Sequence, residues 1–185
     1  KPDFAEAYYN LGVIFNDLDN LQKAELSTRK AIEIKPDYAE AHYSLGNILN
    51  DLGNLQEAFN SYLKAININP SLPNIYASIT RFIKNSDPSK LNKSKLKNIL
   101  NLLLDRNDVN HSDLIRGFNF IYSNEIINSL EKLDSDFSKI DLLIKETVII
   151  NALKKITFKD IRLEKLLTKA RRNICNRIAK NIETI

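Results

Sequence analysis

Apolar side chains recur every three or four residues along most of the chain, which is the spacing of one face of an α-helix. This spacing predicts a helix over residues 5–17 and a second over residues 21–34, joined by a turn near Asp19-Asn20. No segment alternates apolar and polar residues convincingly, so the pattern predicts no β-sheet. The expected fold class is therefore all-α.

The sequence pattern of the first 34 residues is repeated in the next 34. Lys1–Ile34 and Lys35–Ile68 are identical at 22 of 34 positions. Pro36 and Pro70 follow the two predicted hairpins, at points where a proline cannot continue a helix. A fixed period of this size predicts a solenoid of helix pairs, in which each pair buries its apolar face against a neighbour.

Numbered from Ala5, the repeat carries the residues that one repeat family places at fixed positions. The paired residues are Tyr8 and His42 (fourth), Leu11-Gly12 and Leu45-Gly46 (seventh and eighth), Phe15 and Leu49 (eleventh), Ala24 and Ala58 (twentieth), Ala31 and Ala65 (twenty-seventh), and Pro36 and Pro70 (thirty-second). This pattern closely resembles the tetratricopeptide repeat, and His42 departs from it. The resemblance implies a right-handed α-α superhelix of antiparallel hairpins. The small residues Gly12 and Ala24, and likewise Gly46 and Ala58, are expected where two helices cross.

The repeats divide the chain into two regions. Residues 1–84 hold full repeats at 5–38 and 39–72 and a partial third at 73–84, and residues 85–185 form a helical C-terminal region. We expect residues 73–84 to be a helix that covers the open end of the second repeat, as divergent end units do. The opening Lys1-Pro2-Asp3-Phe4 corresponds to the tail of a repeat, which favours a fragment of a longer protein.

The C-terminal region is expected to consist of further helices. Their predicted ranges are 89–104, 112–122, 124–133, 138–145, 147–155 and 159–182, with His111 as a loop residue. Val148–Ile174 resembles a helical segment of bacterial proteins that carry tetratricopeptide repeats before a class I S-adenosylmethionine-dependent methyltransferase domain. The resemblance implies a similar position in a larger protein.

The family resemblance also implies a binding site, because in this family the first helix of each repeat lines an inner groove. The implied peptide-binding residues are Tyr9, Asn10, Asn16, Asp17, Tyr43, Asn47, Asn50, Asp51 and Arg81, with Asn74, Ser78 and Lys84 of the third unit on the same face. Asparagine amides donate and accept hydrogen bonds, and tyrosines add flat contact area. The expected function is a protein–protein interaction scaffold that binds an extended, neutral or basic peptide.

Several alternatives to this interpretation stay open. The asparagine-lined groove is similar to that of the O-linked N-acetylglucosamine transferase branch, so the repeats could recruit a substrate for methyl or sugar transfer. The groove could also be unused, or filled by the protein's own missing C-terminal domain. The basic stretch 154–185 (net charge +7, against −4 for residues 1–72) admits nucleic-acid binding. A solvated or docking face is favoured, because aromatic residues are not interleaved with the basic ones.

Composition argues against catalysis by this chain. Its four glycines are isolated, so we expect no glycine-rich cofactor loop, and its histidines and single cysteine have no zinc-ligand spacing. We predict no enzyme activity, no cofactor and no metal. The lone Cys175 suits a reducing cytoplasm, and no apolar run of about 18 residues is present that could span a membrane.

Overall fold

The computed structural model describes residues 2–131 together with Lys155 and Thr168. Residues 2–131 form seven α-helices and no strand, which confirms the all-α fold class. The helices are α1 Pro2–Asp17, α2 Leu21–Ile34, α3 Ala39–Asp51, α4 Leu55–Ile68, α5 Ile75–Asn85, α6 Lys93–Asp105 and α7 Ile115–Glu131. None of the described helices is long and apolar enough to cross a bilayer.

The chain divides into two compact units, Lys1–Asn92 and Lys93–Ile185. The first unit includes α1 to α5 and a 3-10 turn, Pro88–Lys90. The second includes α6, α7 and a 3-10 turn, His111–Leu114. The helices expected at 138–145, 147–155 and 159–182, and the segment Val148–Ile174, lie outside the described residues apart from Lys155 and Thr168, which are both helical.

The first unit consists of stacked helical hairpins. α1 packs on α2, α3 packs on α4, and α2 also packs on α3, so the second hairpin continues the first. α2 ends at Ile34 and α4 ends at Ile68, two residues before Pro36 and Pro70 respectively. Both proline boundaries that the sequence predicts are therefore confirmed, and the arrangement is that of an α-α superhelix.

The two hairpin turns have the same backbone conformation but different residues. Asp19 in the first turn has φ 55°, and its equivalent Gly53 in the second has φ 79°. Both values lie in the left-handed region, which glycine adopts freely and aspartate adopts at some cost. Asn20 follows Asp19 and caps α2, because its side-chain oxygen accepts a hydrogen bond from the Lys23 backbone N–H at 3.4 Å.

The glycines at the eighth position of the two repeats, Gly12 and Gly46, face different neighbours. A Cβ on Gly12 would lie 3.3 Å from both the Ala24 carbonyl oxygen and the Thr28 nitrogen, so α1 approaches the α2 backbone there as expected. A Cβ on Gly46 would instead lie 2.7 Å from the ring of Tyr62. In the second repeat the space beside the glycine is therefore filled by an aromatic ring of α4, which the expectation of a close backbone crossing did not include.

α5 packs on α4 through aromatic side chains. The Phe82 ring stacks on Phe59 with centroids 6.0 Å apart and contacts Tyr62 at 5.4 Å. The buried residues of α5 are Ile75, Tyr76, Ile79, Thr80, Phe82 and Ile83. Asn74, expected on the helical groove face, instead precedes α5 in a left-handed conformation with φ 62°.

The single helix expected over residues 89–104 is wrong. Asp87 starts a separate 3-10 turn, because its carboxylate accepts hydrogen bonds from the Ser89 backbone N–H at 3.0 Å and from the Ser89 hydroxyl at 2.8 Å. Pro88 suits the first position of this turn. The chain is then extended at Leu91, and α6 begins only at Lys93.

The expected break between residues 122 and 124 is also wrong, because α7 runs without interruption from Ile115 to Glu131. Ser123 and Asn124 lower helix propensity only slightly, so they do not end a helix that packing supports. His111 lies in the 3-10 turn rather than in a loop, and its Nε2 is 2.8 Å from the Arg106 carbonyl oxygen.

The second unit has an apolar core formed by α6 and α7. Buried residues include Leu96, Leu100, Leu103, Phe118 and Tyr122. A lysine from later in the chain bonds a backbone carbonyl in the last turn of α6. Lys155 Nζ donates to the Leu104 carbonyl oxygen at 2.7 Å. A cation near the last carbonyls of a helix is also favoured by the helix dipole.

Candidate peptide-binding groove

A concavity of about 380 Å³ lies among α3, α4 and α5 of the first unit, and we call it the groove. It is lined by Tyr43, Asn47, Asn50 and Asp51 of α3, by Tyr62 of α4, and by Ser78, Arg81, Phe82 and Asn85 of α5. Five of the nine predicted site residues therefore line one cavity. They come together because Tyr43, Asn47 and Asn50 are spaced three and four residues apart on one face of α3.

Two tyrosine hydroxyls hold the walls of the groove in place. The Tyr43 hydroxyl lies 2.8 Å from the Ser78 hydroxyl and so joins α3 to α5. The Tyr62 hydroxyl donates to Asn47 Oδ1 at 2.8 Å and joins α4 to α3. The two rings lie with centroids 6.2 Å apart. A cavity fixed by hydrogen bonds and ring contacts needs little rearrangement to accept a ligand.

Tyr62 stays neutral through the physiological pH range. Burial raises the pKa of its phenol far above the usual value, and the nearby Tyr43 and Asp51 raise it further. Arg81 acts in the opposite direction on the same pKa. The Tyr62 hydroxyl therefore keeps the proton that it donates to Asn47 to a higher pH than an exposed tyrosine would.

Several polar groups in the groove are available to a ligand. Asn47 Oδ1 already accepts a hydrogen bond from the Tyr62 hydroxyl, but no described residue forms a hydrogen bond with the Asn47 amide nitrogen. Asn50 Nδ2 donates to Asp51 Oδ1 at 3.2 Å, which leaves the Asn50 side-chain oxygen as an acceptor. The guanidinium of Arg81 is exposed and has no hydrogen bond or ion pair within the part of the chain that the structure describes. The groove thus offers donors, acceptors, one carboxylate and one guanidinium.

The four predicted site residues of α1 do not line this cavity. The Tyr9 ring instead lies 5.1 Å from the Tyr38 ring, and burial, followed by Glu40 and Tyr43, raises the pKa of its phenol. Asn10 and Asp17 are exposed. Asn16 is half-buried, and its side-chain oxygen is buried without a hydrogen-bonding partner.

Three lining residues were missed by sequence reasoning. Asn85 holds the repeat position of Asp17 and Asp51, so a longer third unit would have included it. Phe82 is at the position of Ile14 and Ile48. Tyr62 belongs to a second helix, and its ring reaches the groove because Gly46 leaves space beneath it.

Comparison with known protein families finds repeats of one kind. Models described as "Tetratricopeptide repeat" match residues 5–38 and 28–60, and one described as "TPR repeat" matches residues 46–79. No curated protein matches the sequence. The first match coincides with the first repeat as the sequence defines it, and the other two overlap in a shifted frame, as a periodic sequence permits. Residues 5–79 therefore consist of tetratricopeptide repeats, a module that generally mediates protein–protein interaction.

Proposed function

We propose that the first unit is a non-catalytic binding module whose groove holds an extended peptide segment of a partner protein. The observation that supports this proposal is the convergence of Tyr43, Asn47, Asn50, Asp51 and Arg81 on one cavity. An extended peptide exposes unpaired backbone N–H and C=O groups along its length. A cavity rich in amide side chains complements those groups without requiring a particular ligand side chain.

Each polar group has a distinct role in this proposal. The Asn47 amide nitrogen donates to a ligand carbonyl, and the Asn50 side-chain oxygen accepts from a ligand N–H. The rings of Tyr43, Tyr62 and Phe82 supply apolar contact area between these polar contacts. Asp51 and Arg81 carry opposite charges, so a ligand of near-neutral net charge, with a basic group beside Asp51 and an acidic group beside Arg81, fits best.

A displayed library of random peptides, selected against the intact chain, tests this function. The double variant Asn47→Ala/Asn50→Ala removes two hydrogen bonds and is expected to weaken selected peptides by about tenfold or more. Asn67→Ala is the matched control, because Asn67 is exposed on α4 and does not line the groove. The proposal fails if no peptide is selected, or if the double variant binds selected peptides as tightly as Asn67→Ala does.

Two other occupants of the groove are compatible with this proposal. One is a substrate that the groove recruits for a larger transferase, and the other is the protein's own C-terminal domain. The amides of Asn47, Asn50 and Asn85 in one groove favour the first of these. Incubating selected peptides with the longer protein and a methyl or sugar donor distinguishes recruitment from scaffolding, because only recruited substrates are modified. Weaker peptide binding by the longer protein than by this chain would instead indicate an internal occupant.

A further inference from the structure

A second cavity of about 490 Å³ lies among α2, α3 and α4, and we call it the outer pocket. It shares no lining residue with the groove. It is lined by Arg29, Ile32 and Glu33 of α2, by His42 and Leu45 of α3, and by Glu57, Asn60, Ser61 and Lys64 of α4. The proposed peptide function does not use any of these residues.

The outer pocket is found at the one repeat position that departs from the pattern. The fourth position holds Tyr8 in the first repeat and Tyr76 in the third unit, where the side chain is only 8% exposed. In the second repeat it holds the smaller His42. The His42 Nε2 is 2.9 Å from the Pro36 carbonyl oxygen, so the imidazole is tied to the preceding turn.

The lysine of the outer pocket, Lys64, also lacks the acidic neighbour that its equivalent in the first repeat has. In the first repeat, Lys30 forms an ion pair with Glu33 at 2.9 Å, and Glu33 and, more weakly, Tyr8 raise the pKa of Lys30. The equivalent lysine of the second repeat is Lys64, but Asn67 replaces the glutamate and His42 replaces the tyrosine. Lys64 is exposed and has no hydrogen bond or ion pair among the described residues.

The other charges at the pocket rim are already paired. Arg29 contacts Glu25 at 2.7 Å and Glu57 at 2.6 Å, and Glu33 contacts Lys30. Lys64 is therefore the lysine of the lining that has no ion pair among the described residues. A contact between a lysine and an aromatic ring also occurs elsewhere in the first unit, where Lys35 Nζ lies 4.7 Å from the Tyr38 ring centroid.

We propose that the outer pocket is a second docking site, which binds an aromatic side chain of a partner protein with an acidic residue next to it. The guest ring lies on Ile32 and Leu45, beside the His42 imidazole, which is smaller than the tyrosine found at this position in the other two units. The guest carboxylate pairs with Lys64, as Glu33 pairs with Lys30 in the first repeat. Aromatic anchors in pockets are the usual centres of protein interfaces.

The test uses short blocked peptides and the intact, isotope-labelled chain. Ac-Gly-Tyr-Glu-Gly-NH2 is titrated while the amide resonances of Ile32, His42 and Leu45 are followed by NMR. Saturable shifts at these residues are expected. Ac-Gly-Leu-Glu-Gly-NH2 is expected to bind about tenfold more weakly, and Ac-Gly-Tyr-Gln-Gly-NH2 about two- to fivefold more weakly.

Substitution His42→Tyr supplies the ring from within the chain and is expected to abolish binding of the tyrosine peptide. Because tyrosine is tolerated at this position in two other units, the variant should fold, which its thermal melting curve checks. Lys64→Ala should weaken the tyrosine peptide to the level of the glutamine peptide. The Asn47→Ala/Asn50→Ala groove variant should bind it unchanged, which keeps this site separate from the groove. Undiminished binding to His42→Tyr, equal binding of the leucine peptide, or no saturable shift would overturn the proposal.

Discussion

Gly12 lies where α1 approaches the backbone of α2, so a larger side chain there would clash with α2. A Cβ would already be 2.4 Å from Thr28 Oγ1 and 3.3 Å from two backbone atoms of α2. We predict that Gly12→Leu lowers the free energy of unfolding by about 1–3 kcal/mol, although leucine favours helix more than glycine does. Urea denaturation measures the change.

The matched control for this prediction is Asn10→Leu, which places the same side chain on an exposed position of α1. That variant should change stability by no more than about 0.5 kcal/mol. Equal stability of the two variants would mean that α1 and α2 can move apart at Gly12 without loss.

Tyr62 gives the first unit a specific sensitivity to alkaline pH. Burial raises the pKa of its phenol above the value of the unfolded chain, so the folded state keeps the proton after the unfolded state has lost it. The resulting stabilisation is complete below about pH 10, the unfolded pKa, and is lost as pH rises above that value. We predict that the midpoint of urea denaturation falls between pH 9 and pH 11, and that Tyr62→Phe falls less steeply.

The comparison between Tyr62→Phe and the original chain separates this residue from the general alkaline effect. Burial also raises the pKa values of Tyr9 and Tyr38, so the variant should retain part of the slope. Identical slopes for the two proteins would show that Tyr62 ionises in the folded state as easily as in the unfolded state.

At the scale of the helices, the sequence predicted the structure well where a second copy of the repeat was present, and less well elsewhere. In the repeats, Pro36, Pro70 and the Asp19-Asn20 turn recur or have equivalents 34 residues away, and the helix ends that they imply were correct. In the second unit no copy was available. Local signals then gave two wrong boundaries. A separate 3-10 turn at Pro88 precedes α6, where one helix was predicted, and α7 continues through Ser123, where a break was predicted.

The first hairpin turn is a further element-scale feature with a measurable consequence. Asp19 adopts a left-handed backbone that its equivalent Gly53 adopts without strain. We predict that Asp19→Gly stabilises the chain by up to about 1 kcal/mol, measured by urea denaturation. The reverse change, Gly53→Asp, should destabilise it by a similar amount. If Asp19→Gly were destabilising, the aspartate would contribute more through local hydrogen bonding than it loses through backbone strain.

At the scale of the whole molecule, the candidate groove was partly predictable. The family resemblance implied Asn47, Asn50 and Arg81 as groove residues, and helical spacing agreed in placing Asn47 and Asn50 on one face of α3. The cavity also depends on contacts that periodicity does not encode, such as the Tyr62 hydroxyl bonded to Asn47. The outer pocket is marked in the sequence by departures from the repeat, His42 in place of tyrosine and Asn67 in place of glutamate.

The division into two compact units predicts that the first can be studied alone. Residues 1–92 contain α1 to α5, and their buried residues run from Ala5 to Leu91. Each hairpin has its neighbour within this segment, which is the condition for repeat stability. We predict that a protein ending at Asn92 retains helical circular dichroism and a single cooperative thermal transition. A noncooperative melt, or loss of helicity, would mean that the stacked hairpins depend on residues after Asn92. Peptides selected on the intact chain should bind this shorter protein with unchanged affinity if the groove is complete within it.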